Sequence, residues 1–324
     1  MADLVALGEL LIDFTESGTS SSGMMLFERN PGGAVANVLA AVSRLGGSTA
    51  FLGKVGDDMH GRFLKKTLED AGIDVTGLLM TPDFFTTLAF VAISGMGERT
   101  FSFARKPGAD TQLRAAEVNE TLVRGAKILH VGSLSLTDEP AHSATLHAIA
   151  AAKEAGVVVS YDPNYRASLW KDEKTAKEHM RELLPLVDII KLSEEETALL
   201  TDYEDAESAG KYLNMSGIPC AAVTLGNRGV LVCISGKTAV VDAYPPPAVD
   251  TTGAGDAFMG GFLYRMLSIG KRPHTLTLTE AKDCANWGNA TAACCVQKRG
   301  AIPAMPTLTE VLDLMHEYGA DHTY

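Results

Sequence analysis

Short apolar runs alternate along the chain with longer stretches in which apolar residues recur every three or four positions. Several apolar runs have the length of buried strands, at residues 4–11, 49–54, 127–131, 157–161, 189–191 and 221–224. The periodicity of amphipathic helices occupies residues 34–45, 59–71, 141–155 and 195–200. Because strands and helices succeed one another in this order, we expect an α/β fold whose mostly parallel sheet is covered by helices on both faces.

One region departs from this alternation. Residues 86–93 and 99–105 are strand-like runs joined by residues 94–98, Ser-Gly-Met-Gly-Glu, a segment typical of a hairpin turn. Antiparallel strands within a parallel design predict a small additional sheet, either a lid over a site or a contact between two copies of the chain. An exposed strand edge on such a sheet would favour a homodimer.

Composition and charge exclude some classes of function. The 324 residues include 28 Lys and Arg against 40 Asp and Glu, a net charge of −12 that argues against binding to nucleic acid or to an anionic membrane surface. The first residues lack a basic leader, and no uncharged apolar run reaches the roughly 20 residues of a membrane helix. The 5 cysteines form no C-x-x-C pair. The sequence therefore predicts a cytoplasmic protein without nucleic-acid or membrane partners.

The densest glycine motif is Asp-Thr-Thr-Gly-Ala-Gly-Asp-Ala-Phe at residues 250–258, followed by a helical stretch. Small residues before a helix leave the backbone amides of Gly253, Ala254 and Gly255 unobstructed at the positive end of the helix dipole. That arrangement makes an anion site without a lysine. A carboxylate beside the anion, Asp256, is costly unless it takes a proton from an attacking hydroxyl, as phosphoryl transfer requires. The alternative is a glycine-rich turn that only caps the helix.

A second glycine motif, Asn-Pro-Gly-Gly-Ala-Val-Ala-Asn, occupies residues 30–37. Gly32 and Gly33 open a helix, and Asn37 follows Gly33 by one turn on the same face. Backbone amides and a carboxamide both donate and accept hydrogen bonds, so the motif suits a ligand with many hydroxyl groups. The alternative is a tight turn with a buried asparagine that is satisfied within the protein.

The two motifs together resemble the signatures of the ribokinase-like (PfkB) carbohydrate kinases, and within that family the likeness is greatest to fructokinases. Agreement extends over almost the whole chain, through residues 8–13, 53–58, 162–164, 223–226 and 300–303. The resemblance implies a single ribokinase-like domain over residues 1–324, a three-layer α/β/α arrangement with a mostly parallel central sheet. Segments near residues 10–30 and 84–106 would form its small β-sheet lid.

The resemblance implies an ATP-dependent sugar kinase that transfers the γ-phosphoryl group to a primary hydroxyl, O6 of D-fructose in the fructokinases. Asp256 matches the family's catalytic base, and Gly253, Ala254 and Gly255 match its anion hole. The positions that bind the sugar hydroxyls are matched by Asp13, Gly32, Gly33, Asn37 and Asp256. We expect Asp13 at the end of the first strand.

Arg105 and Arg166 lie in segments similar to those of fructokinases and would contact the sugar. Ketodeoxygluconate kinases share the segment around Arg166, and both arginines could instead be surface charges in ordinary ion pairs. Three alternatives therefore stay open. They are a kinase of 2-keto-3-deoxygluconate, a kinase of an aminoimidazole riboside, and a catalytically silent sugar-binding or regulatory protein on the same fold.

The resemblance also implies sites for ATP, for Mg²⁺ and, as in many members of the family, for K⁺. The nucleotide positions are matched by Thr224, Gly226, Gly229, Gly255 and Asn289. Ser193 and Glu196 stand where the family usually has N-x-x-E, which organises Mg²⁺ through water, and the serine leaves that arrangement open. The K⁺ positions are matched by the side chains of Asp250 and Thr252 and by the backbone carbonyls of Cys295, Lys298, Gly300 and Ala304.

Overall fold

The computed structural model describes residues 1–93, 99–245 and 247–319. In chain order its strands are β1 Leu4–Leu7, β2 Leu11–Thr19, β3 Met25–Gly32, β4 Thr49–Gly56, β5 Asp74–Thr81, β6 Leu88–Ile93, β7 Arg99–Ala104, β8 Ile128–Gly132, β9 Val158–Asp162, β10 Ile189–Ser193, β11 Cys220–Thr224, β12 Val230–Ile234 and β13 Lys237–Val241. Its α-helices are α1 Ala34–Arg44, α2 Met59–Asp70, α3 Glu120–Gly125, α4 Ala141–Glu154, α5 Glu173–Glu182, α6 Thr197–Thr201, α7 Ala206–Met215, α8 Ala254–Ile269, α9 Leu278–Cys295 and α10 Leu308–Glu317. The hairpin turn predicted at residues 94–98 lies outside the described residues.

The strands form two sheets. The larger sheet has the order β13-β12-β11-β10-β9-β8-β1-β4-β5, with β12 antiparallel to both of its neighbours and the other paired strands parallel. The smaller sheet has the order β3-β2-β6-β7, with β2 parallel to β6 and the outer strands antiparallel. The predicted α/β fold, with a mostly parallel central sheet and a small second sheet, is confirmed.

The larger sheet is buried on both faces, as a parallel sheet requires. Strand β1 shows this directly, because Leu4 belongs to the apolar cluster that includes residues of α1, α8 and α9, while Val5 belongs to a second cluster that includes residues of α4 and α7. All four residues of β1 are buried, which explains why its sequence is a continuous apolar run. The carboxyl ends of β1, β8, β9, β10 and β11 share one edge of this sheet, the edge where ligands bind in such folds.

The prediction of one strand over residues 4–11 is wrong. The chain leaves the larger sheet after Leu7 and enters the smaller sheet at Leu11. At the crossing, Glu9 turns its carboxylate inward to accept a hydrogen bond from the backbone N–H of Ala34. Asp13 is therefore the third residue of β2, paired with Asn30 of β3, and does not end the first strand.

Among the described residues, we find no helix with the length and apolar character that crossing a bilayer demands. The cysteines are buried and form no disulfide bonds. The cytoplasmic location stays a prediction.

Candidate active site

A cavity of about 240 Å³ lies between the two sheets, at the carboxyl edge of the larger one. The predicted catalytic and sugar-binding residues that line it are Asp13, Gly33, Asn37, Arg166, Gly253, Ala254, Gly255 and Asp256. Residues from opposite ends of the chain thus meet there, since α1 and α8 pack side by side. We call this space the first cavity.

The first turn of α8 forms one wall. Gly253 precedes the helix with a φ of 76°, a left-handed conformation that glycine adopts without a steric penalty. A side chain at this position would also approach the Cβ of Ala301 to 2.9 Å. The helix begins without a capping side chain, so its positive end faces the cavity uncovered.

Asp256 lies buried in that first turn, where two amide side chains hold its carboxylate. Asn37 Nδ2 donates to Oδ2 at 2.7 Å, and Asn164 Nδ2 donates to Oδ1 at 3.2 Å. Burial and the charge of Asp162 raise the pKa of Asp256 to about 6, although the bond from Asn37 and the charge of Lys191 act in the opposite direction. The carboxylate is therefore ionised at neutral pH, yet basic enough to accept a proton.

Asp13 faces Asp256 across the cavity from the smaller sheet. Burial and the charge of Asp256 raise the pKa of Asp13 to about 6, although the charge of Arg166 acts in the opposite direction. The side chain of Asp13 lies over Gly32, because a Cβ on that glycine would come within 2.1 Å of Asp13 Oδ2. A Cβ on Gly33 would likewise come within 2.4 Å of the carbonyl oxygen of Glu9. The two glycines are thus required by close packing beneath the cavity.

Of the two arginines predicted to contact the sugar, only one lines the first cavity. Arg166 is exposed and lines the first cavity, with its guanidinium donating to the carbonyl oxygen of Tyr165 at 3.0 Å. Arg105 is buried outside the cavity lining, and its guanidinium pairs with Asp110 at 2.7 Å. Arg105 also donates to the carbonyl oxygen of Leu134 at 2.8 Å. It is therefore neither a cavity-lining group nor a surface charge.

A lysine lies beside the glycine motif of residues 253–255, whose backbone amides the sequence predicts to form an anion site without one. Lys191 of β10 lines the first cavity and is buried, and its Nζ lies 2.9 Å from an oxygen of Asp162. A Cβ on Gly255 would lie 3.1 Å from that Nζ. Burial lowers the pKa of Lys191, but the carboxylates of Asp162, Glu196 and Asp256 outweigh it and raise the pKa above its ordinary value. The ammonium group therefore stays charged.

A second cavity of about 370 Å³ lies on the other side of the α8 terminus. The predicted nucleotide residues Thr224, Gly226, Gly229, Gly255 and Asn289 all line it. Phe258, Ala292 and Val296 make part of its wall apolar, which suits a planar base. Asn289 donates to the carbonyl oxygens of Val241 and Asp242, at 3.0 and 2.9 Å, and so fixes the end of β13. The two cavities share Thr251, Ala254 and Gly255.

Ser193 and Glu196 line neither cavity. They form a capping box, in which each side chain accepts a hydrogen bond from the backbone N–H of the other residue. The second carboxylate oxygen of Glu196 accepts from the backbone N–H of Tyr165 at 2.7 Å. Glu196 thus anchors the segment that carries Asn164 and Arg166. Within the described ranges, we find no cluster of three or more His, Cys, Asp or Glu residues arranged to hold a metal ion.

The predicted K⁺ positions gather behind the α8 terminus. Asp250 accepts hydrogen bonds from the backbone N–H of Thr252 at 2.9 Å and of Gly300 at 3.0 Å, which ties the two segments together. The thiol of Cys295 lies 4.0 Å from the carbonyl oxygen of Thr252. Lys298 directs its side chain away, to Glu310, and Ala304 ends a 3₁₀ turn, Ile302–Ala304.

Sequence reasoning assigned no role to three polar residues that line the first cavity, Glu9, Asn164 and Lys191. Each stands near the carboxyl end of a parallel strand, following β1 or β9 or lying within β10. That shared position is the signal that could have identified them. Asn164 also has a positive φ of 46°, uncommon outside glycine and tolerated by asparagine.

Comparison with known proteins agrees with this geometry. The model of the family described as "pfkB family carbohydrate kinase" matches residues 1–308 of this chain. Fructokinase-1 of Oryza sativa subsp. japonica is 42% identical over 316 residues, which cover 96% of this chain and 97% of the relative. The fructokinase of Xylella fastidiosa with bound ATP has a TM-score of 0.91 at 32% identity, covering 98% and 99% of the two chains. A double mutant of the Vibrio cholerae O395 fructokinase, bound to fructose, ADP and potassium ion, has a TM-score of 0.87 at 35% identity, covering 97% and 98%.

Proposed function

The chain belongs to the pfkB family of carbohydrate kinases, as its motifs predicted, and on that premise we propose that it is a fructokinase. It transfers the γ-phosphoryl group of ATP to the 6-hydroxyl of D-fructose. One observation carries the proposal: Asp256 lies buried in the first cavity, at the helix terminus where that cavity meets the second. The relatives named fructokinases, and the neighbour bound to fructose and ADP, support fructose as the sugar.

The first cavity holds the sugar through groups that both donate and accept. Asn37 Oδ1 is buried and has no hydrogen-bond partner within the described part of the chain, so it awaits a hydroxyl. The carboxylate of Asp13 accepts hydroxyl hydrogens, and the guanidinium of Arg166 donates. Gly33 lines the cavity, whereas Gly32 leaves room for the side chain of Asp13. A polyhydroxylated ligand satisfies all of these groups at once.

Asp256 takes the proton of the 6-hydroxyl while that oxygen forms its bond to the γ-phosphorus. The bond from the γ-phosphorus to the bridging oxygen breaks, and ADP leaves with the electron pair. The backbone amides of residues 253–255 and the ammonium of Lys191 face the negative charge on the phosphoryl oxygens. The smaller sheet lies over the sugar as a lid, where it excludes water that would otherwise accept the phosphoryl group.

The donor set indicates how Mg²⁺ binds. Both carboxylate oxygens of Glu196 already accept backbone amides, and the described residues supply no metal cluster. This fits an ion that arrives on the ATP phosphates and keeps most of its waters. Ser193 and Glu196 would contact it through those waters. When bound, Mg²⁺ neutralises charge on the β- and γ-phosphate oxygens.

A monovalent cation beside Asp250 would stabilise the loop that leads into Gly253. We expect kcat/KM for ATP to be about tenfold higher in KCl than in NaCl at equal ionic strength. This ratio corresponds to a difference of roughly 1.4 kcal/mol in activation free energy. The Asp250→Asn variant should lose this difference, because it loses the charge that the cation neutralises. Equal rates of the unmodified protein in the two salts would rule out the K⁺ site.

The smaller sheet also offers a surface for a second copy of this chain. Its edge strand β3 exposes the apolar side chains of Met25, Leu26 and Phe27, an arrangement that invites association. We expect a dimer by sedimentation equilibrium, and we expect Leu26→Glu to raise its dissociation constant at least about tenfold. Val240→Glu, on the exposed edge strand β13 of the larger sheet, serves as the control. A protein that is monomeric at tens of micromolar would exclude the dimer.

The rate should depend on pH through Asp256 and Asp13, two of the carboxylates that line the first cavity. Asp256 and Asp13 have pKa values raised to about 6, so both are ionised above that pH and protonated below it. We expect kcat/KM to be constant above about pH 8, where Glu9 is ionised as well, and to fall at least tenfold per unit below pH 6. The Asn37→Ala variant loses a hydrogen bond that lowers the pKa of Asp256. The acidic limb of its pH profile should therefore lie at higher pH than that of the unmodified protein. A rate that stays constant down to pH 4.5 would contradict the role of Asp256.

The function is tested by ADP release from Mg·ATP in the presence of D-fructose, 2-keto-3-deoxygluconate, ribose, adenosine or aminoimidazole riboside. We expect a strong preference for fructose, with ³¹P NMR showing the phosphate on O6. Turnover of another member of the panel alone would keep the kinase chemistry and refute fructose as the substrate. Sugar binding without ADP release would support the silent binding protein instead.

A further inference from the structure

Glu9 lines the first cavity and belongs to neither glycine motif. It follows β1 at the crossing between the two sheets, and only 2% of it is exposed. One carboxylate oxygen, Oε1, accepts from the backbone N–H of Ala34 at 2.6 Å. The other oxygen, Oε2, is buried and finds no hydrogen-bond partner among the residues that the structure describes.

A structural role explains only half of this arrangement. The N-cap residue of helix α1 is Gly33, which has no side chain to cap the helix, so Oε1 of Glu9 accepts from the first helical N–H instead. A cap needs a single acceptor oxygen. The second oxygen is desolvated and has no partner among the described residues, which is a costly state in a protein interior. Burial raises the pKa of Glu9 to about 7, which reflects that cost.

Some neighbours of Glu9 offset part of this cost. The backbone bonds and the charge of Arg105 oppose the effect of burial, while the charge of Asp110 adds to it. Arg105 itself is fixed in place by Asp110 and by the carbonyl oxygen of Leu134. The arginine predicted to contact the sugar is thus buried near Glu9, where its charge lowers the pKa of that carboxyl group.

We propose that Glu9 is a sugar-binding residue, whose Oε2 accepts the hydrogen of one fructose hydroxyl other than O6. The assignment rests on the proposed fructokinase function. Through Oε1 the same carboxylate is joined to the first turn of α1, and Asn37 on that helix holds Asp256. Glu9 therefore fixes the orientation of the sugar relative to the base that must reach its 6-hydroxyl.

The test combines the Glu9→Gln variant with fructose analogues that each lack one hydroxyl. These are 1-deoxy-, 3-deoxy- and 4-deoxy-D-fructose and 2,5-anhydro-D-mannitol. Glutamine keeps the acceptor for Ala34 and replaces the second oxygen with a donor. With fructose, we expect KM to rise about 10- to 100-fold and kcat to change less than about threefold. With the one analogue that lacks the partner hydroxyl, the two proteins should have equal KM values within about twofold.

Controls separate binding from folding and from the proposed function. Glu178→Gln, on the exposed face of α5, should match the unmodified protein on every sugar. Thermal unfolding of Glu9→Gln should be close to that of the unmodified protein, because the cap is retained. An equal penalty on fructose and on all four analogues would overturn the sugar contact. No turnover of fructose by the unmodified protein would overturn the proposed function and this assignment together.

Discussion

Replacing Asp256 with asparagine should lower kcat at least about 100-fold, while fructose and ATP should still bind. The change is nearly isosteric and removes only the ability to accept a proton. Asn37 Oδ1 has no hydrogen-bond partner in the described structure, so this side chain can turn its amide and accept from the new carboxamide. The hydrogen bond between residues 37 and 256 is thus retained. Steady-state rates with calorimetric titration of both substrates would measure the effect.

Stability supplies an independent check on the same variant. The pKa of Asp256 is raised from 3.8 to about 6, so its stabilising contribution is full below pH 3.8 and is lost as the pH rises through 6. At pH 8 the buried charge lowers the free energy of unfolding, and asparagine should therefore leave it unchanged or increased. Asp70→Asn, at the exposed end of α2, is a matched control that should alter neither rate nor binding. Near-normal turnover of Asp256→Asn would refute its assignment as the base.

The two glycine motifs could be predicted because their chemistry is local. A helix start with small residues has the same physical consequence in any fold, so residues 32–37 and 253–256 indicated a hydroxyl site and an anion site. Their meeting in one cavity required the resemblance to a known family. Periodicity alone does not tell which helices pack together.

The errors have a different origin. The run at residues 4–11 is apolar on both sides of Gly8 and Glu9 because both of its halves are buried, but an apolar pattern does not specify which sheet receives each half. Arg105 stands in a segment that resembles a sugar-contacting one, yet its guanidinium is taken by Asp110, which closes the same loop. Lys191 was missed because its importance depends on Gly255, far along the chain. Such contacts arise only when strands and helices are brought together.

Replacing Lys191 should also have a large effect on the reaction rate. Lys191→Met should reduce kcat/KM for ATP by about 100- to 1,000-fold, the usual consequence of removing one group that faces charge in the transition state. It also leaves Asp162 buried without its ionic partner, since that carboxylate lies 2.9 Å from the ammonium and is only 2% exposed. Breaking such a pair typically costs about 3–5 kcal/mol of stability. A poorly folded protein would therefore lose activity for an uninformative reason.

The double variant Lys191→Met with Asp162→Asn removes both charges and so removes the unpaired carboxylate. Replacing a whole buried pair with neutral groups is often tolerated, so its thermal unfolding should return close to that of the unmodified protein. If Lys191 faces the transferred phosphoryl group, the rate with ATP should stay low in this stable protein. The Asp162→Asn variant measures what Asp162 itself contributes to the rate. Because Asp162 raises the pKa of Asp256, its loss should move the acidic limb of the pH profile of kcat/KM to lower pH. A double variant that is stable and turns over ATP within about threefold of the normal rate would make Lys191 a purely structural residue. The anion site would then consist of the α8 terminus alone, as the sequence first indicated.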